Sequence, residues 1–252
     1  MNKEIEKAFS QITLVVLGRS LDGVKSYERW LEARVRMPQK GRSILSGKVL
    51  YHPPLAFSTG IQRSLKLDEW QGFGEKELGR SQALSLNLEN AAQKLRPIAY
   101  TTPEVVLGKN ESVEESSAYG YSSYCYRGDS FVYRKFCAYC LWPRESEYVF
   151  GSDNTFASRF CLKCYYSVNL TRCFEVSNSS SSSDCLFCHN VENCMDCMFC
   201  FNVKAKRFAI GNVEYKKEEY LHIKKLVLEE IASKLENDKK LGLSIFNVGC
   251  PK

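Results

Sequence analysis

The stretch SDCLFCHNVENCMDCMFCFN, residues 183–202, holds five cysteines in twenty residues and reads first as a zinc or iron–sulfur site. Its spacing obeys a stricter rule than metal binding needs. Eleven of the twelve cysteines, from Cys125 to Cys200, follow one another at intervals of 12, 3, 21, 3, 9, 12, 3, 6, 3 and 3 residues, every one a multiple of three. Independent placement would do this with odds of about 1 in 60,000, so a structural repeat sets the phase. Cys125, Cys137, Cys161, Cys173, Cys185 and Cys197 lie on one twelve-residue lattice whose missing member is Val149. Cys140, Cys164, Cys188 and Cys200 form a second column three residues behind.

The rule extends beyond cysteine. All 23 residues at every third position from Cys137 to Val203 are small, uncharged or aliphatic, in a chain that is 25% charged, and Arg134 and Lys206 bound the run. A run of this kind marks a cramped interior. An α-helix drifts out of phase with a period of three, and a flat strand alternates every second residue. The pattern therefore predicts a mainly β fold, a β-solenoid of 12-residue repeats wound as a right-handed β-helix, with successive coils about 4.8 Å apart. A coil of two repeats fits the count equally well. Asn154, Asn178, Asn190 and Asn202 share another register, with Trp142 and Tyr166 in the gaps; asparagine suits the turns of such a coil because it tolerates left-handed backbone angles.

Directly after the first cysteine column come Leu162, Phe174, Leu186, Met198 and Ile210, with Phe150 and Ala138 below. If the cysteines point inward, these point outward, as a docking stripe for the N-terminal part, another copy or a different protein. The metal reading requires three or four thiolates converging on one point, and Cys185, Cys188, Cys197 and Cys200 have a suitable spacing. The same columns accept Val and Ser, however, and cysteine fills a narrow core as a small apolar residue. Reduced structural thiols are the expectation, with a zinc or iron–sulfur cluster as the alternative and disulfides as a third reading.

Three regions follow: a basic N-terminal α/β region over 1–110, the cysteine-rich solenoid over 111–212, and an amphipathic capping helix and tail over 213–252. The helix is expected over 214–237, where Leu221, Ile223, Val227, Ile231 and Leu235 recur at helical spacing. In the N-terminal region Val24, Tyr27, Trp30, Leu31 and Val35 share a helical face that Asp22 can cap, KVLYH is extended, and residues 84–95 suit a second helix.

The net charge of +6 resides in residues 1–110, with 17 Lys and Arg against 11 Asp and Glu; the remainder has 18 of each. No acid lies between Glu32 and Asp68, whereas Arg34, Arg36, Lys40, Arg42, Lys48, Arg63 and Lys66 do, which predicts a surface for RNA or another polyanion. No apolar run reaches membrane-helix length, and a thiol-rich chain of this kind is expected in the cytoplasm. His52, His189 and His222 have no sequence neighbours that complete a triad, and no glycine-rich phosphate loop is present.

From Tyr124 to Tyr220, with its CxxC and NxxNC spacings and its RFAIGNVEYKKEEY ending, the chain resembles a group of uncharacterised cysteine-rich β-helix proteins of archaea and related bacterial lineages. That resemblance implies a fold and no activity. The coil is also similar in architecture to the β-helical scaffolds of Suf-type iron–sulfur assembly, although none of their motifs maps onto it. The expected function is a non-enzymatic scaffold or assembly subunit without cofactor. It would bind a protein partner through Leu162, Phe174, Leu186 and Met198 and through Arg34, Arg36, Lys40, Arg42 and Lys48. The alternative is a metal or cluster carrier using Cys185, Cys188, Cys197 and Cys200.

Overall fold

The computed structural model describes residues 1–54 and 62–250. From Val105 to Ile210 the chain winds into a β-solenoid of about nine coils. Parallel pairing places Val149 beside Cys137 and Cys173 beside Cys161, so one coil is twelve residues and not twenty-four. Only the first coil departs from this: Val105 pairs with Ala118, one residue further on. The extra residue is absorbed at Gly108, whose φ is 61° and whose Cβ, if it had one, would stand 2.2 Å from the Tyr121 ring. The solenoid thus begins at Val105, before the expected boundary at 111.

Each coil turns four corners. At each corner one residue adopts the left-handed conformation, as Tyr133, Phe136, Tyr139 and Trp142 do with φ of 54°, 56°, 56° and 49°, and the residue after it points into the lumen. L-residues rarely visit this region. Asparagine reduces the cost at Asn154, Asn178, Asn190 and Asn202, and aromatic corners recover part of it by stacking. Tyr124, Phe136, Tyr148 and Phe160 form one such stack, with successive centroids 5.3, 4.8 and 4.7 Å apart.

The corners explain the lumen's composition. Sharp turning directs backbone N–H and C=O groups inward, where no water competes, and each must find a partner. Small side chains that both donate and accept supply it. Ser158 Oγ donates to the Phe156 carbonyl (2.7 Å) and accepts the Leu170 N–H from the next coil (2.9 Å). Ser152 Oγ accepts the Cys164 N–H, and Ser182 Oγ the Cys194 N–H. The thiols act similarly: Cys140 Sγ donates to the carbonyls of Ala138 (3.1 Å) and Val149 (3.3 Å), and Cys188 Sγ to those of Leu186 and Cys197. Ser158→Ala leaves the Leu170 N–H buried without an acceptor and is expected to destabilise the fold by about 1–3 kcal/mol. Ser158→Cys, which keeps an acceptor, should cost less; equal urea midpoints for the two variants would refute this account of the lumen.

The outer stripe is not free. Helix α1 (Lys3–Leu17) lies along it, burying Ile5, Phe9, Ile12 and Val16 in one core with Phe150, Leu162, Phe174, Leu186 and Met198. Phe9 meets Phe150 at 5.6 Å, and Trp30 of the short helix α2 (Glu28–Glu32) meets Phe174 at 6.3 Å. Gly151 admits this segment: a Cβ there would stand 3.0 Å from the Leu31 carbonyl oxygen. The expected helix over 22–35 is present only as a 3-10 turn at Val24–Tyr27 followed by α2, and Asp22 accepts from Ser10 instead of capping it. The extended KVLYH is the strand Val49–His52, paired antiparallel with Gln39–Arg42.

Residues 84–95 do not form one helix. Two short ones, α3 (Arg80–Leu84) and α4 (Ala91–Lys94), flank a turn in which Asn87 and Asn90 each accept the other's backbone N–H. Side chains that bond to nearby backbone offer it an alternative to the helix.

The C-terminal helix α5 (Lys217–Asp238) starts at the last coil, with Tyr220 on Phe208 at 5.7 Å, and runs back along the flank beside α1. Arg19 joins the two helices through Glu236 at 2.7 Å. Its buried face carries Tyr220, Ile231, Ala232 and Leu235, whereas Leu221 and Ile223 remain exposed. Among the described residues no helix is long and apolar enough to cross a membrane.

Candidate partner-binding cleft on the open flank

One side of every coil remains outside this cover. It carries Trp142, Asn154, Tyr166, Asn178, Asn190 and Asn202 in a single outward column at the left-handed corner, with Leu141, Asp153, Tyr165, Ser177, His189 and Phe201 beside it. Trp142 and Tyr166, two coils or about 9.6 Å apart, are 47% and 58% exposed. Asn190 donates to Asn202 along the column at 2.9 Å.

The C-terminal tail crosses this side and closes a cleft of about 590 Å³ between itself and the coils. Its walls are Tyr165, Tyr166, Phe201, Ile245 and Phe246, and its polar groups are Ser177, Asn178 and His189. A largely apolar concavity of this size with a few convergent polar groups is the usual form of a recognition site. Ser177 Oγ and His189 Nδ1 share a 2.8 Å hydrogen bond whose direction follows the imidazole tautomer. His189 therefore partners Ser177, twelve residues away, and not its neighbour Cys188.

The tail is fastened from below. Ile245 N–H donates to Glu175 Oε2 at 2.9 Å, the Phe246 ring packs on Tyr165 at 4.8 Å, and Arg34 lies 5.4 Å over Phe246. Glu175 is fully buried, and Lys163, one coil below it, donates to the Trp30 carbonyl at 2.8 Å. Burial pushes the Glu175 carboxyl up to about 7, opposed by the Lys163 charge and the Ile245 N–H. Burial likewise pushes the Lys163 ammonium down, opposed by Glu175. Folded Glu175 keeps its proton up to about pH 7, whereas the unfolded carboxyl releases it near 4.5. Between those values the folded state binds more protons, so this group's contribution is full below the lower value and is lost as pH rises. Glu175→Gln should flatten that decline; identical pH profiles of the melting temperature in the two proteins would exclude it.

Three cations of the basic run are neutralised by acids from outside it. Arg36 bonds Asp153 (3.1 Å), Lys48 bonds Asp68 (3.0 Å) and Lys66 bonds Glu104 (3.0 Å). Arg42 donates to the Gly47 carbonyl, and Arg63 to those of Ala99 and Arg96. Of the seven cations, Lys40 alone has no partner among the described residues. Arg34, Lys40, Arg42 and Arg63 face no acid among the described residues.

Leu162, Phe174, Leu186 and Met198 are corrected as partner contacts: they are buried in one core with the chain's own N-terminal helix, one of the three expected occupants. Cys185, Cys188, Cys197 and Cys200 sit at two corners of two adjacent coils, with Cys185 facing Cys188 and Cys197, and Cys200 facing the same two. Among the described residues no group of three or more His, Cys, Asp or Glu is placed to hold a metal ion, and all twelve cysteines are free thiols.

No family model, curated protein or solved structure matches this chain. The cleft therefore has to be read from its own chemistry. The triplet rule identified its asparagine column with Trp142 and Tyr166 but missed Ser177 and His189. Their signal was the twelve-residue register, which makes residues i and i+12 neighbours.

Proposed function

We propose that this protein is a non-enzymatic binding scaffold whose open flank, and not its apolar stripe, engages a protein partner. The observation that carries the reading is the pair Trp142 and Tyr166, exposed in one straight column of which Tyr166 lines the cleft. Aromatic side chains on rigid backbone lose little entropy on binding and dominate protein interfaces. The exposed asparagine amides that follow them in the column, Asn178, Asn190 and Asn202, suit a partner's backbone groups. A polyanion grip through residues 34–66 has less support, since the run's ion pairs to Asp68, Glu104 and Asp153 already engage three of its cations.

The test is affinity capture from native extract with the wild type and with Trp142→Ser/Tyr166→Ser, followed by rebinding of each retained protein in purified form. A specific partner should bind the double variant at least tenfold more weakly. Equal affinity for both forms would refute the flank as the binding surface. Stoichiometric metal in anaerobically purified protein would favour the carrier function of Cys185, Cys188, Cys197 and Cys200 instead.

A further inference from the structure

The lumen contains one charged side chain that the packing does not explain. Every third residue from Val113 to Val203 occupies the inward register; none of these is acidic, and Arg134 alone is charged. It is 3% exposed, and its Nε and both terminal nitrogens are buried with no hydrogen-bond partner among the described residues. A guanidinium stays protonated in proteins, and an uncompensated charge in such a place is strongly unfavourable.

The chain offers it no counter-ion. Asp129, also fully buried, is engaged by the Ser117 and Ser130 hydroxyls and the Ala118 N–H. Glu145 is exposed on the outside, 3.7 Å from Arg144. The sulfurs of Cys125, Cys137 and Cys140 stand against backbone carbonyl oxygens, at 3.5 Å from Ser123, 3.5 and 3.7 Å from Lys135 and Ser146, and 3.1 and 3.3 Å from Ala138 and Val149. Those contacts need the S–H, and the oxygens would repel a thiolate.

A second donor is unmet at the same corner. There the Arg134 N–H donates to Ser122 Oγ, the Ser158 N–H to Ser146 Oγ and the Leu170 N–H to Ser158 Oγ, each one coil earlier. Ser146 instead follows Arg134, whose side chain has donors only. The buried Ser146 N–H has no acceptor among the described residues.

We propose that the lumen binds a small monovalent anion of the halide class at Arg134. A halide accepts from N–H groups in any direction, and its single charge matches the single guanidinium. A sulfate or phosphate dianion would bring a second charge into an apolar space with no cation to meet it. Burial pushes the Arg134 pKa only down to about 10, so the cation that holds the anion is present at neutral pH.

The test is equilibrium urea unfolding at fixed ionic strength, with chloride exchanged stepwise for gluconate, a larger organic anion. An ion released on unfolding lowers the wild-type unfolding constant about tenfold for each tenfold rise in chloride above the site's dissociation constant. Arg134→Ser restores the serine of the neighbouring coils, so it should fold and show no such dependence. In gluconate alone it should be the more stable protein, having lost the unpaired charge and given the Ser146 N–H an acceptor. Equal chloride dependence in the two proteins, or none in either, overturns the proposal and leaves water or a thiol as the partner of the guanidinium. Crystals grown with bromide in place of chloride give a second measurement: one anomalous peak within hydrogen-bonding reach of Arg134 supports the site, and its absence overturns it.

Discussion

Phe174→Ala is expected to lower the unfolding free energy by about 3–5 kcal/mol, the range for truncating a large aromatic residue in a close-packed core. Phe174 has no solvent exposure and lies between Trp30 at 6.3 Å and Phe187 at 5.3 Å. Truncation opens a cavity between the solenoid and its N-terminal cover that neither can fill, because the coil positions are fixed by the ladder. Tyr166→Ala, on the open flank, should change stability by no more than about 0.5 kcal/mol. Urea denaturation of the two variants checks both. A Phe174→Ala loss below about 1 kcal/mol would mean that α1 and α2 do not seal the stripe, and would restore it as a surface for other molecules.

Lys163→Met should cost about 1–3 kcal/mol at pH 8, from the Trp30 carbonyl left without its donor and the Glu175 carboxylate left without the charge that opposes its burial. Lys163 and Glu175 are both buried beneath the N-terminal segment and the tail, and the lysine also satisfies the Trp30 carbonyl. The cost should shrink at pH 5.5. With burial holding the Glu175 carboxyl near 7, protonation removes the unpaired charge there. Lys163→Met/Glu175→Met removes both charges and should recover only part of the loss, since the Trp30 carbonyl and the Ile245 N–H stay without partners. If the single variant loses the same stability at both pH values, the two charges are not coupled.

The lumen explains why cysteine dominates this sequence without implying metal chemistry. A corner every three residues turns backbone groups into the interior, and serine and cysteine combine small volume with donor and acceptor capacity. The CxxC spacing is two adjacent corners of one coil. A second CxxC twelve residues later is the same pair of corners one coil on. The thiols at 185, 188, 197 and 200 therefore reproduce the spacing of a zinc site through coil geometry alone.

The sequence by itself determined the solenoid, because coil periodicity is a local property: each triplet repeats one turn, and an interior column admits only residues that fit the lumen. It also identified the asparagine corners and the C-terminal helix. Helix α1 was legible in Ile5, Phe9, Ile12 and Val16 at helical spacing. Only the tertiary structure decided what covers the apolar stripe, since Leu162 and Phe174 look equally ready for a partner or for the chain's own helix. It also decided the fate of the basic run, whose acids at Asp68, Glu104 and Asp153 lie outside the run and reach it only on folding. The pairing of Ser177 with His189 waited on the coil length for the same reason. Periodicity fixes which residues share a column, but folding decides which surface meets which, through contacts between residues distant in the chain.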